Sequence, residues 1–230
     1  MESIDTKSVQ LGRNVERNVS VSSALWFHLI CGLGIVIGFW VSHFVCSIDL
    51  LSNPDRFLFI LWATECPIVI LMFAVLRRDL SKCSYLRAVG RGLLGLPAGA
   101  LVIALCAVAL GAPVGKKYFL ATVNWSLLMS LFTVVPTATV FGSSFVDWQR
   151  LFANTRPAGS IDYMLCVPAH GAILGSWFGA WPMPLDWERP WQEWPVCVAC
   201  GGVAGYMMGL CVSLGLIVCS SRRRDHVKEE

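Results

Sequence analysis

Apolar residues in this chain come in long blocks rather than on faces. Six stretches approach or exceed the roughly 20 residues that cross a bilayer: about 24–46, 57–76, 92–112, 118–142, 163–181 and 195–219. A helix of a water-soluble protein would keep one polar face, and these blocks show none. The pattern therefore predicts an all-α, polytopic membrane protein with six transmembrane helices. Residues 1–23 form a polar arm, 24–219 the transmembrane domain, and 220–230 a basic tail. The first block is much longer than a signal-peptide core of roughly 7–15 residues, and no small-residue cleavage site follows it, so it is expected to remain as an anchor.

Composition excludes the alternative of a large soluble helical protein. The 230 residues are 56% hydrophobic and 14% charged, with a mean hydropathy of +0.63, where ordinary globular chains carry about a quarter charged residues. The net charge of +3 matters less than its placement. Lys7, Arg13 and Arg17 lie in the arm, Arg77, Arg78, Lys82, Arg87 and Arg91 between the second and third blocks, Arg150 and Arg156 between the fourth and fifth, and Arg222, Arg223, Arg224 and Lys228 in the tail. The other connections hold only Arg56, Lys116, Lys117 and Arg189. The positive-inside rule puts the first group, both termini included, in the cytosol.

On the far side lies "WPMPLDWERPWQEWP", residues 181–195. Trp181 and Trp194 close the fifth block and open the sixth at headgroup depth, where indoles are best satisfied. Pro182, Pro184, Pro190 and Pro195 stop both helices. Two tryptophans would make an aromatic belt. Four, with Asp186, Glu188, Arg189 and Glu193 among them, point to a surface that holds a partner or a lipid headgroup, and the contact candidates are Trp181, Pro184, Asp186, Trp187, Arg189, Pro190, Trp191 and Trp194.

The last two blocks carry glycine ladders, Gly171, Gly175 and Gly179 in the fifth and Gly201, Gly205 and Gly209 in the sixth. Each is a repeated GxxxG, which clears a groove for a close backbone, so these blocks are expected to pack on each other or on a partner's helix. Shorter pairs are Gly34 with Gly38 and Gly95 with Gly99, while Pro67, Pro97, Pro136 and Pro168 fall inside blocks and should bend them.

Ionisable residues within the blocks are His28, His43, Glu65 and His170. Such residues are functional-site hypotheses by default. For Glu65 the structural alternative is that a protonated carboxyl satisfies the carbonyl freed by Pro67; for the histidines it is interfacial or core hydrogen bonding. The ten cysteines lie almost entirely in the blocks and read as small buried residues. Cys197 and Cys200 form a CxxC without a second pair, so no metal or redox site is expected. Cys219 at the basic edge is a candidate for palmitoylation. The glycosylation-like Asn18-Val19-Ser20 falls in the arm and Asn124-Trp125-Ser126 in a block, so neither is expected to be used. No phosphate loop, serine elbow, zinc motif or His–carboxylate cluster is present, so neither a cofactor nor a catalytic residue is expected.

The run from Gly175 to Tyr206, "GSWFGAWPMPLDWERPWQEWPVCVACGGVAGY", resembles the C-terminal signature of the phosphatidylinositol-glycan biosynthesis class F (PIG-F) family, with "PLDWERPWQEWP" as its core. The resemblance is sharp over about the last 70 residues. It implies a multi-pass protein of the endoplasmic reticulum membrane in glycosylphosphatidylinositol (GPI) anchor assembly. Its implied role is a non-catalytic accessory subunit that stabilises two large ethanolamine-phosphate transferases, PIG-O and PIG-G. These add phosphoethanolamine to the third and second mannoses of the precursor in the lumen. The loop would then meet a partner, membrane lipid, the GPI precursor or phosphatidylethanolamine. The tail is not a dilysine signal. Two rival readings stay open, a small transporter or lipid flippase using Glu65 and the intramembrane histidines, and a lipid-modifying enzyme in its own right.

Overall fold

In the computed structural model, residues 19–78 and 83–229 are described, with side chains to Arg223. The arm residues Lys7, Arg13, Arg17 and Asn18, and Lys82, lie outside them. Ser20 starts the first helix, α1 (Val21–Trp40), its hydroxyl accepting from the Ser23 amide at 3.2 Å. A turn of π-helix, Val41–Val45, extends it. Pro54 occupies the first turn of α2 (Pro54–Val75), where its missing N–H costs nothing. Ser84 caps α3 (Tyr85–Ala109) through the Arg87 amide. Helix α4 (Lys116–Phe141) stops at Gly142, whose φ of +64° suits glycine. A short α5 (Phe145–Trp148) runs into a π-turn, Gln149–Ala153, before α6 (Ser160–Ala180) and α7 (Val196–Glu229). No strand occurs among the described residues.

Helix α4 is the hub, packed against α3, α2 and α6 and more lightly against α7. Around it the other long helices follow in the order α3, α2, α1, α7, α6, each in contact with the next, and the most extensive interface is α6 with α7. The position of α4 explains its many small hydroxyls. Ser126, Ser130, Thr137 and Thr139 are fully buried, and where they bond it is mostly to backbone, as Ser130 does to the Leu96 carbonyl (3.0 Å) and Thr139 to that of Val135 (2.7 Å).

Among the described residues, five helical segments are long and apolar enough to cross a membrane: Val21–Val45, α2, α3, α4 and Val196–Arg223 of α7. The fifth apolar block forms α6, which has the length at 21 residues but carries Asp162, Pro168 and His170. Helix α7 continues beyond 219 to Glu229, so its 34 residues rise about 51 Å, well past the ~30 Å hydrocarbon layer. Pro67, Pro97, Pro136 and Pro168 all lie inside helices that continue past them.

Candidate functional site: a braced Trp/Pro loop over a glycine seam

The α6–α7 contact is nearly backbone on backbone. A Cβ built on Gly175 would meet the Gly201 carbonyl and stand 2.9 Å from the Gly205 Cα; one on Gly201 would be 3.0 Å from the Gly179 Cα. Gly171 lies against Gly205 and Gly209, Gly179 against Cys197 and Val198, and Gly209 against Pro168. The six ladder glycines thus face one another across the two helices. Between membrane helices, where lipid is as apolar as the side chains, such close approach is what gives van der Waals contact its strength. Ser176 adds a bond to the Val198 carbonyl at 3.1 Å.

This pairing fixes both ends of the 181–195 loop. The loop itself is organised by Gln192, buried in a single 3-10 turn (Pro190–Gln192). Its side-chain NH2 donates to the carbonyls of Pro182 (2.7 Å) and Leu185 (2.8 Å), and its oxygen accepts from the Arg189 amide (2.9 Å). Three turns of chain are gathered on one amide. Trp194, also buried, donates its indole N–H to Thr122 of α4 at 2.9 Å and stands edge-to-face on Trp125, ring centroids 5.2 Å apart. Cys197 donates to the Trp191 carbonyl. Outside, Lys117 pairs with Glu193, and that bond holds the Glu193 carboxyl below its ordinary value.

The rest of the loop faces outward. Trp181, Trp187 and Trp191 are exposed, the last two in an edge-to-face pair at 5.9 Å. Pro184, Asp186, Glu188, Arg189 and Pro190 are exposed too, and Asp186, Glu188 and Arg189 enter no ion pair among the described residues. Glu188 takes a positive φ of 50°. The signature therefore divides into an inner half that braces (Gln192, Trp194, Pro195) and an outer half that presents two indoles and three unpaired charges. Gln192 escaped the sequence reading because a lone glutamine among tryptophans carries no pattern of its own.

The intramembrane polar residues do not gather. His28 bonds Ser213 across α1 and α7 at 3.1 Å. His43 is exposed between Phe39 and Phe44. His170 bonds the Cys166 carbonyl of its own helix at 2.7 Å. Glu65 is fully buried under Gly34, and neither carboxyl oxygen has a hydrogen-bond partner among the described residues. The tie from Glu65 to a carbonyl freed by Pro67 is not formed: the carboxyl instead lies against α1. No group of three or more His, Cys, Asp or Glu that could hold a metal is found among the described residues.

A second polar cluster, at the opposite end of α6, was not apparent from the sequence. Asp147 accepts from Arg78, Ser144 (2.5 Å) and Arg150 (3.4 Å), and Asp162 accepts from Arg150 and from the Ala158 amide (2.8 Å). Both arginines lie over the Phe141 ring. Both aspartates are buried, so this end of the bundle is clamped by charge. The available signal was Asp162 in the first turn of a helix opening after Gly159, an acid at a helix N-terminus.

A family model described as GPI biosynthesis protein family Pig-F matches residues 34–214. The chain belongs to the Pig-F family. A Pig-F relative from Mus musculus, named "GPI ethanolamine phosphate transferase, stabilizing subunit", is 28% identical over 203 residues, covering 86% of this chain and 92% of its own. The Homo sapiens protein of the same name is 36% identical over 103 residues, 45% of this chain and 47% of that one. A "PIGF/3-ketodihydrosphingosine reductase fusion protein" of Schizosaccharomyces pombe is 39% identical over 108 residues, only 21% of its length. No solved structure gives a significant match.

Proposed function

We propose that this Pig-F chain is a non-catalytic stabilising subunit of the ethanolamine-phosphate transferases that modify mannoses of the GPI-anchor precursor in the endoplasmic reticulum membrane. The partners are a PIG-O-like and a PIG-G-like catalytic chain. The name carried by the mouse relative over nearly its whole length supports the role. The observation that carries it in this chain is the two-sided loop: Gln192 and Trp194 brace from within, while the Trp187–Trp191 pair is exposed and Asp186, Glu188 and Arg189 enter no ion pair among the described residues. A surface so fixed and so incompletely paired suits docking.

In this reading α6 is the fifth of six spans and α7 the sixth, both termini are cytosolic, and the 181–195 loop is lumenal, on the side of the glycan and of the transferase's catalytic domain. The loop contacts the partner, with lipid headgroup or GPI precursor at its rim. Purification in mild detergent tests this directly. A large transferase recovered in stoichiometric amount supports it; a solitary chain that moves lipid or solute supports the transporter reading, which the unpartnered Glu65 carboxyl favours.

A further inference from the structure

Along the outward side of α6, residues 163, 167, 170, 174, 177 and 181 follow at steps of four, three, four, three and four, the period of a supercoiled helix pair. They are Tyr163, Val167, His170, Leu174, Trp177 and Trp181, half-buried in the first three and exposed in the last three. The corresponding outward residues of α3 are plain aliphatics, among them Leu93, Leu94, Leu101 and Leu105. Helix α3 thus has a face made for lipid, whereas α6 presents polar and aromatic groups and is not among the five segments apolar enough to span.

His170 gives this face a chemical requirement. Its Nδ1 lies 2.7 Å from the Cys166 carbonyl, which can only accept, so Nδ1 carries the hydrogen. Nε2 is left as an acceptor, and it makes no hydrogen bond with any described residue. The ring stands ten residues from either end of α6, about 15 Å by helical rise, which in the six-span reading proposed above is the middle of the membrane. Hydrocarbon offers no donor there, and an unmet polar group in it is costly. A neighbouring helix with a hydroxyl or amide at that depth would supply one. Toward the loop, Trp177, Ala180 and Trp181 line an open groove of about 440 Å³, room for side chains of such a helix. The groove adjoins the end of α6 from which the docking loop starts, so one partner could occupy both.

We propose that this face of α6 receives a transmembrane helix of the transferase, an apolar segment with one hydrogen-bond donor at mid-depth that meets His170. This rests on the subunit reading above. The test uses the full-length chain, co-expressed with the transferase of the same organism, with a photo-crosslinking residue placed singly at 170, 174 or 177 in α6 and at 94, 101 or 105 in α3. Adducts with the transferase are expected from α6 and not from α3. His170→Leu should lower co-recovered transferase about threefold to tenfold, the range of one interhelical hydrogen bond, and His170→Gln, which keeps an acceptor, should lose less. Co-purification of the transferase without any α6 adduct overturns the assignment of the face and leaves the subunit reading standing. Absence of the transferase from the unmodified chain overturns both.

Discussion

Gly175 and Gly205 meet so closely that neither has room for a methyl group: a Cβ on either would lie 2.9 Å from the other's Cα. Because the obstacle is backbone, side-chain repacking cannot relieve it. Gly175→Ala and Gly205→Ala should each destabilise by about 3 kcal/mol, the upper part of the range for overpacked cores. Gly215, also in α7, has nothing within 4 Å of a built Cβ. Gly215→Ala should be neutral or slightly stabilising, since alanine is the better helix former. Thermal unfolding in detergent compares the three; equal behaviour would mean the seam is not under such constraint.

Gln192→Ala removes three hydrogen bonds at once: the Arg189 amide loses its acceptor, and the Pro182 and Leu185 carbonyls keep only a backbone donor each, the amides of Leu185 and Trp187. The expected cost is roughly 1–3 kcal/mol, confined to the loop. Limited proteolysis from the loop side should speed up while helix content stays constant, and transferase recovery should fall with it. If cleavage is unchanged, other contacts hold the loop.

At the other end, Asp162→Ala leaves Arg150 only its longer contact to Asp147 (3.4 Å) and the Ala158 amide without its acceptor. Arg150 keeps partial access to water, with its side chain 29% exposed, so the loss should be about 1–3 kcal/mol rather than that of a wholly buried pair. In a double-mutant cycle with Arg150→Ala, the two substitutions should couple strongly in melting temperature. Additive effects would show that the ion pair contributes nothing.

Glu65 separates the rival functions. Its oxygens have no partner to lose among the described residues, so Glu65→Met, close in volume, should leave the melting temperature unchanged or raise it, as replacement of an unsatisfied buried polar group often does. Transferase recovery should also persist. Loss of cellular function with stability and assembly intact would instead favour an ion- or proton-coupled transporter.

Helix placement was legible because each apolar block is a single run. The blocks at 57–76 and 118–142 correspond to α2 (Pro54–Val75) and α4 (Lys116–Phe141), shifted by one to three residues at each end. The facing of glycine on glycine was visible as spacing, though only coordinates show that Gly171 meets Gly205 within the same chain. Single polar residues were harder. Arg78 and Asp147 are 69 positions apart, and no local pattern joins them. Glu65 was readable as buried and ionisable, but its expected tie to a backbone carbonyl is absent, because burial against Gly34 turns the carboxyl toward α1. The loop was noticed for its tryptophans, yet the residue that shapes it is Gln192.

The most direct test of the subunit role is the lifetime of the transferase in cells lacking this chain, followed after synthesis is stopped and compared with cells in which the chain is restored. A stabilising subunit predicts a shortened half-life, recovered on re-expression of the natural chain and recovered poorly with Gly175→Ala. An unchanged half-life, with phosphoethanolamine still added normally to the anchor precursor, would contradict it.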